Sequence, residues 1–151
     1  MCTGAQTIKI SGVSIIGGIG KKEHRNVVCN NECMIALGAN RIPPQVFRAL
    51  SIGGTEDFGW VKVSMVRADA SSVLDATQGP MLPGGKACGY IINIPNHNYT
   101  IYYSGFTNVF GDMKLIDTKY KPDVAIIPIA GSCSMGPREA AYSVKNYLTT
   151  P

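Results

Sequence analysis

The apolar run Val124-Ala125-Ile126-Ile127-Pro128-Ile129 restricts the fold of this chain more than any other segment. A continuous run of this length, entered from Asp123, reads as a β-strand covered on both faces. Pro128 lacks an amide donor, which sets it near the strand's end. After the loop Gly131-Ser132-Cys133-Ser134, Pro137 suits a first helical position. Ala140, Ala141, Val144, Tyr147 and Leu148 then recur at helical spacing, with Arg138, Glu139, Lys145 and Asn146 between them. The spacing predicts an amphipathic helix packed through the first set. A buried strand followed by such a helix places the chain in the α/β class.

Other segments fit that class. Residues 7–16 favour an extended strand, ended by Gly17-Gly18-Ile19-Gly20. This cluster fails as a dinucleotide fingerprint, because Glu23 stands where the third glycine is needed. It also fails as a phosphate loop, since Lys22 replaces the hydroxyl residue after Lys21, so it reads as a turn. Val27-Val28-Cys29 reads as a strand end, and Asn30 or Asn31 caps a helix to about Leu37, stopped by Gly38. Pro43-Pro44 breaks the chain before a short helix over Gln45 to Leu50. Val61 to Val66 alternates with period two, so Val61, Val63 and Met65 line one buried face. Gly79 to Gly85 reads as a surface loop. Gly89 to Ile94 and Tyr99 to Tyr103 form a hairpin around Pro95-Asn96-His97-Asn98. The only other histidine besides His97 is His24. His97 falls at the hairpin tip, in water, without the walls that tune an imidazole.

At 151 residues, with 45% hydrophobic and 16% charged side chains, the chain is long enough for one domain with a real core. Residues 1–25 stand apart as a strand or arm, or as a transit segment poor in acidic residues, and residues 26–151 form the domain. The net charge of +4 is mild, and Lys21, Lys22 and Arg25 are its only dense group, so a nucleic-acid groove is unsupported. Five cysteines, at 2, 29, 33, 88 and 133, are too irregular for a secreted disulfide framework. They favour reduced thiols in an intracellular setting, cytoplasmic or organellar. Cys29 and Cys33 without a second close pair favour packing over zinc. No apolar run approaches the roughly 20 residues that span a bilayer, so no membrane partner is expected.

Three segments together resemble the metallo-β-lactamase superfamily, in its branch of metal-dependent hydrolases that includes L-ascorbate-6-phosphate lactonase. They are Ile52-Gly53-Gly54-Thr55 with Val61 to Val66, Gly89-Tyr90 with Thr100 through Met113, and Tyr120-Lys121-Pro122-Asp123 through Ile129 with Ser134-Met135-Gly136-Pro137. In order and spacing the likeness covers about residues 26 to 148. It implies a partial αββα sandwich with a metal site at one edge. The family's early His-x-His-x-Asp-His loop is absent here. Its next histidine ligand falls at Ala70, after Asp69, and its bridging aspartate falls at Phe106 within Ser104-Gly105-Phe106-Thr107. The family's last ligand region would fall beyond Pro151. A methyl group has no lone pair, and an aromatic ring gives two cations no shared oxygen. Asp69 and Cys133 lie near this vestigial site as isolated donors.

The resemblance therefore implies a catalytically inactive structural subunit or interaction module with no catalytic or metal-ligating residues of its own. Such a module is expected to pack against a protein partner or a second copy, because missing sheets leave apolar surface bare. The alternative is a hydrolase of lactone or phosphoester type, with zinc held by ligands from a partner chain. A third reading places an anion at the loop of Ser132, Ser134, Met135 and Gly136, where a helix start favours negative groups.

Overall fold

The computed structural model describes residues 7–10, 25–38, 44–74 and 82–149. The chain divides into two units, residues 1–51 with 73–85, and residues 52–72 with 86–151.

In the first unit, β1 (Thr7–Ile10), β2 (Arg25–Cys29) and β3 (Phe47–Ala49) form a parallel sheet in that order. The strand expected from residue 7 is present over Thr7–Ile10, and the remainder of that expectation, with the Gly17–Gly20 turn, lies outside the described residues. Helix α1 (Asn31–Gly38) follows β2, and Asn30 is its cap: Oδ1 accepts the Cys33 amide at 2.8 Å. The same Asn30 side chain donates through Nδ2 to the Gly84 carbonyl at 2.7 Å. Val27, Cys29, Cys33 and Phe47 pack as one buried cluster, and the Cys33 thiol also donates to the Gly84 carbonyl at 3.9 Å.

The helix expected over Gln45 to Leu50 is a single 3-10 turn (Pro44–Val46) followed by β3. Pairing decides the outcome: Phe47 to Ala49 bond alongside Val27 to Cys29, and Phe47 buries its ring. The loop expected over Gly79 to Gly85 contains a short strand, β7 (Leu82–Pro83), antiparallel to β6 (Val73–Leu74).

The second unit holds a five-stranded sheet in the order β10-β9-β8-β5-β4. Its strands are β4 (Thr55–Asp57), β5 (Lys62–Arg67), β8 (Cys88–Ile94), β9 (Tyr99–Tyr103) and β10 (Val124–Ile126). The predicted hairpin is β8–β9, turned by a 3-10 segment Pro95–His97 with Asn98 in the left-handed region at φ 46°. His97 is exposed there, as expected. Helix α2 (Asp112–Tyr120) joins β9 to β10, and α3 (Pro137–Asn146) follows, with Pro137 in its first turn.

One sheet face carries Val66, Ile91 and Tyr102, packed with Met113 and Ile116 of α2, Ala140 of α3, and Met135, Phe110 and Leu148. The buried side of α3 is Ala140 and Ser143, with Leu148 buried just after the helix, whereas Ala141 and Val144 face solvent. The α3 stripe is thus rotated from the one expected. Ser143 returns its hydroxyl to the Ala140 carbonyl, which lets a polar residue sit inside. Asp117 of α2 accepts both the Thr149 amide (3.0 Å) and the Thr149 hydroxyl (2.5 Å), fastening the segment after α3 to α2.

The other sheet face carries two cross-strand rows set by the register. One is Val63, Ile92, Ile101 and Val124; the other is Met65, Tyr90, Tyr103 and Ile126. β5 is therefore buried on both faces rather than on the one the alternation suggested: Val63 and Met65 on this side, Ser64 and Val66 on the helix side. The Ser64 hydroxyl is satisfied by the Thr55 hydroxyl at 2.6 Å. At the other end, β10 reverses the expectation of a doubly covered strand. It is three residues long, stands at the sheet edge, and leaves Val124 38% and Ile126 50% exposed.

Tyr102 is fully buried, and its hydroxyl has no hydrogen-bond partner among the described residues. Burial pushes its phenol well above the ordinary tyrosine range. The unfolded chain therefore ionises this group first, and stability falls as pH rises above about 10, by roughly 1.4 kcal/mol per pH unit. Tyr102→Phe removes both an unsatisfied hydroxyl and that loss. The variant is expected to match or exceed the parent by about 1 kcal/mol at pH 8, with the gap widening by pH 11. Urea denaturation at the two pH values checks this, and a gap that stays constant or narrows refutes it.

Candidate functional site

β8 runs antiparallel to both β5 and β9, and β10 runs parallel to β9. The C-terminal ends of β5, β9 and β10 therefore meet at one edge of the sheet. The loops leaving them are residues 68–72, 104–111 and 127–136. These loops hold all the site positions picked out by the sequence, so the fold gathers Asp69, Ala70, Phe106 and the 132–136 segment at a common edge.

Thr107 binds the three loops together. Its side chain is fully buried; Oγ1 accepts the Asp69 amide at 2.8 Å and donates to the Asn108 carbonyl at 2.8 Å. Its own carbonyl accepts the Met135 amide at 2.8 Å, and the Asn108 amide returns to the Asp69 carbonyl at 2.9 Å. The Gly131 amide donates to the Met135 carbonyl, closing the last loop on itself. One hydroxyl and one carbonyl of a single residue thus set the mutual positions of the loops. Sequence reasoning passed over Thr107, and its only signal was a small hydroxyl residue directly after the Gly105-Phe106 turn.

Around this knot the donors are sparse. The Asp69 carboxylate is about half exposed, with Arg67 Nη2 3.9 Å away; Arg67 Nη1 also meets Asp112 at 3.1 Å, and its guanidinium lies 5.6 Å from the centre of the Phe110 ring. Cys133 is exposed, with the Ser132 hydroxyl 3.7 Å from its sulfur. Ala70 is half-buried and presents only a methyl group. Phe106 was expected to insert its ring among the site residues; it is 59% exposed instead. The turn before it requires glycine: Gly105 takes φ +67°, where an added Cβ would stand 2.9 Å from the Cys88 carbonyl oxygen.

The resemblance drawn from the sequence implies a metal, and these residues do not fit one alone. Among the described residues no three of His, Cys, Asp and Glu converge. Asp69 and Cys133 are two donors beside a methyl group and an outward-facing ring, short of the set a closed or bridged centre requires. Cys88 lies close to the same turn, but burial raises its thiol above the ordinary range and keeps it protonated.

The proposed anion loop has a resident carboxylate. Gly136 precedes α3, and a Cβ built on it would fall 2.8 Å from Glu139 Oε2. Glu139 therefore supplies negative charge in the first turn of the helix. The Met135 amide is already given to Thr107, while the Ser134 hydroxyl is buried without a partner among the described residues. A separate cleft of about 480 Å³ is lined by Lys114, Asp117, Lys121, Asp123, Asn146 and Thr149, among others. It includes the turn between α2 and the start of β10, at the sheet edge opposite the three loops.

No family model matches the chain. It is 35% identical over 128 residues to a UPF0173 metal-dependent hydrolase of Koribacter versatilis, covering 84% of this chain and 53% of that protein. It is 42% identical over 93 residues to a UPF0173 metal-dependent hydrolase of Methanosarcina mazei, covering 62% of this chain and 39% of that one. The chain thus spans about half the length, or less, of the curated relatives it matches. Among solved structures it is similar to Igni18, a metallo hydrolase of Ignicoccus hospitalis, with a TM-score of 0.65 at 22% identity, covering 80% of this chain and 48% of that one. The homologues of this chain are the UPF0173 metal-dependent hydrolases, and its mixed α/β fold is that of the metallo-hydrolases of the metallo-β-lactamase type.

Proposed function

We propose that this chain is part of a metal-dependent hydrolase of lactone or phosphoester type, whose metal ligands are contributed mainly by a partner chain. The observation that carries this reading is the Thr107 knot, which holds the loops after β5, β9 and β10 together at one sheet edge. Loops hydrogen-bonded to one another through a buried hydroxyl form a rigid floor of the kind a catalytic site needs. The relatives' name supports hydrolysis over the inactive structural subunit that the missing ligands first suggested. Phe106 and Ala70 favour that second reading, in which the same edge serves only for contact. Cys88 and Cys133 form no disulfide among the described residues, which supports a place inside the cell, cytoplasmic or organellar. Among the described residues no helix is long and apolar enough to cross a membrane.

Metal content separates the two functions. The isolated chain is expected to retain no stoichiometric zinc after dialysis, whereas the chain purified with its partner retains at least one ion per complex and hydrolyses a lactone or an aryl phosphate. Both are measured by plasma mass spectrometry and a chromogenic assay. A complex that holds neither metal nor activity would establish the structural subunit instead.

A further inference from the structure

We infer that the three loops of the candidate site hold the non-reacting part of an uncharged, ring-bearing substrate, with Phe106 as the surface on which that ring stacks. The inference rests on the hydrolase reading. It narrows the substrate class to lactones and phosphoesters whose remaining group is apolar, and excludes a phosphorylated sugar.

Three observations support it. Phe106 is 59% exposed, yet its backbone is fixed, because the next residue, Thr107, is fully buried and bonded to the other two loops. A ring mounted on an anchored backbone offers a large contact area and loses little freedom when another ring stacks on it. The second ring of the same loop, Phe110, packs in the core, so Phe106 is the one presented outward. Space is available beside it. Gly131 of the third loop takes φ +87°, and a Cβ added there would meet nothing within 4 Å; the same is true of Gly111, at the end of the second loop. The first loop contributes the half-buried methyl group of Ala70. An aromatic ring, a methyl group and open backbone with few polar groups suit an apolar ligand.

The third observation is the charge of the loops. Residues 68–72, 104–111 and 127–136 contain a single charged side chain, Asp69, and no lysine or arginine. Arg67, directly before the first loop, is spent on Asp112 at 3.1 Å and Asp69 at 3.9 Å. Arg138, in the first turn of α3, is followed by Glu139, whose carboxylate lies against Gly136 at the end of the third loop. A phosphate on the non-reacting end of a substrate calls for a dedicated cation, best an arginine that meets it through two bonds. These loops set a carboxylate there instead, which repels such a group and leaves an uncharged one unaffected.

The test titrates the full chain with two lactones that differ only in their remote group, one carrying a phenyl ring and the other a phosphorylated hydroxymethyl group. Backbone amide resonances are followed by NMR. The phenyl lactone is expected to shift the Thr107 and Asn108 amides saturably and to leave Asn98, exposed at the far hairpin tip, in place. The phosphorylated lactone is expected to give no saturable shift. Because Phe106 is exposed, Phe106→Ala keeps the fold, and it is expected to weaken phenyl-lactone binding about fivefold, with Phe106→Leu intermediate. Val144→Ala, at a residue 48% exposed on α3, is expected to change nothing. No saturable shift with the phenyl lactone, binding unchanged in Phe106→Ala, or equal or tighter binding of the phosphorylated lactone that is lost in Arg138→Ala would each overturn the inference. Phe106-dependent binding to a complex that holds neither metal nor activity would sink the hydrolase reading and leave the apolar subsite standing. Faster turnover of the phosphorylated lactone by a metal-holding complex would do the reverse.

Discussion

Gly89→Ala is expected to destabilise the second unit by about 3 kcal/mol or more, and to lower the melting temperature by roughly 6–12 °C. Gly89 is buried in β8, where a Cβ would stand 2.7 Å from the Tyr103 carbonyl oxygen and 2.9 Å from that of Ser104. Both obstacles are main-chain atoms, which cannot swing aside as a flexible side chain would. The methyl group would force β8 away from the end of β9, where the turn carrying Phe106 and Thr107 begins. Gly111→Ala is the matched control: nothing lies within 4 Å of its added Cβ, and its φ of −62° suits any residue. That substitution is expected to be neutral or stabilising by a few tenths of a kcal/mol. Thermal melts of the two variants check the contrast, and equal losses would show that close backbone approach at β8 is not what requires glycine.

Thr107→Val is expected to cost about 2–4 kcal/mol, because it keeps the shape and removes the hydroxyl. The Asp69 amide then loses its acceptor and the Asn108 carbonyl its donor, both at a fully buried residue. Thr107→Ser retains the bonding group and is expected to recover most of the loss. Hydrogen exchange distinguishes this local effect from general weakening. The Asp69 amide should lose protection in the valine variant, while the amide of Thr100, held by Asp123 at 2.7 Å, should keep it. An Asp69 amide still protected in Thr107→Val would mean that the loops are held by something other than the hydroxyl.

The hairpin β8–β9 and the start of α3 were legible in the sequence, because each rests on local rules: alternation across a turn-forming tetrapeptide, and proline in a first helical turn. β10 was legible as a strand but not as an exposed one. An unbroken apolar run is what a strand covered on both sides requires, and the run itself cannot say whether the cover is present. Residues 45–50 misled in another way. Gln-Val-Phe-Arg-Ala-Leu has acceptable helix propensity, yet parallel pairing with Val27 to Cys29 outweighs a preference worth only tenths of a kcal/mol per residue. Helix α2 escaped notice because its sequence, Asp-Met-Lys-Leu-Ile-Asp-Thr-Lys-Tyr, buries only Met113, Ile116 and Asp117 and exposes Leu115 at 65%.

For the candidate site, the positions that depend on motif spacing were readable, and the fold does bring Asp69, Ala70 and Phe106 to one edge. The exposure of Phe106 was not readable, since no local pattern in Ser104-Gly105-Phe106-Thr107 says which way the ring is turned. Neither was the role of Thr107. Its partners lie 38 positions before it, at Asp69, and 28 after it, at Met135, and no local pattern encodes such reach.

The bond from Asn30 to Gly84 carries a consequence for biosynthesis. It joins residues 54 positions apart and belongs to a unit assembled from two separate stretches of chain. At ribosomal speeds of about 5–20 residues per second, the earlier stretch emerges roughly 3–10 s before the later one. During that interval Val27, Cys29 and Phe47 have only their own short stretch to pack against, and the capping side chain of α1 lacks one of its two anchors. The nascent polypeptide is most open to holding chaperones in that window, and slow codons placed between the two stretches would prolong the exposure.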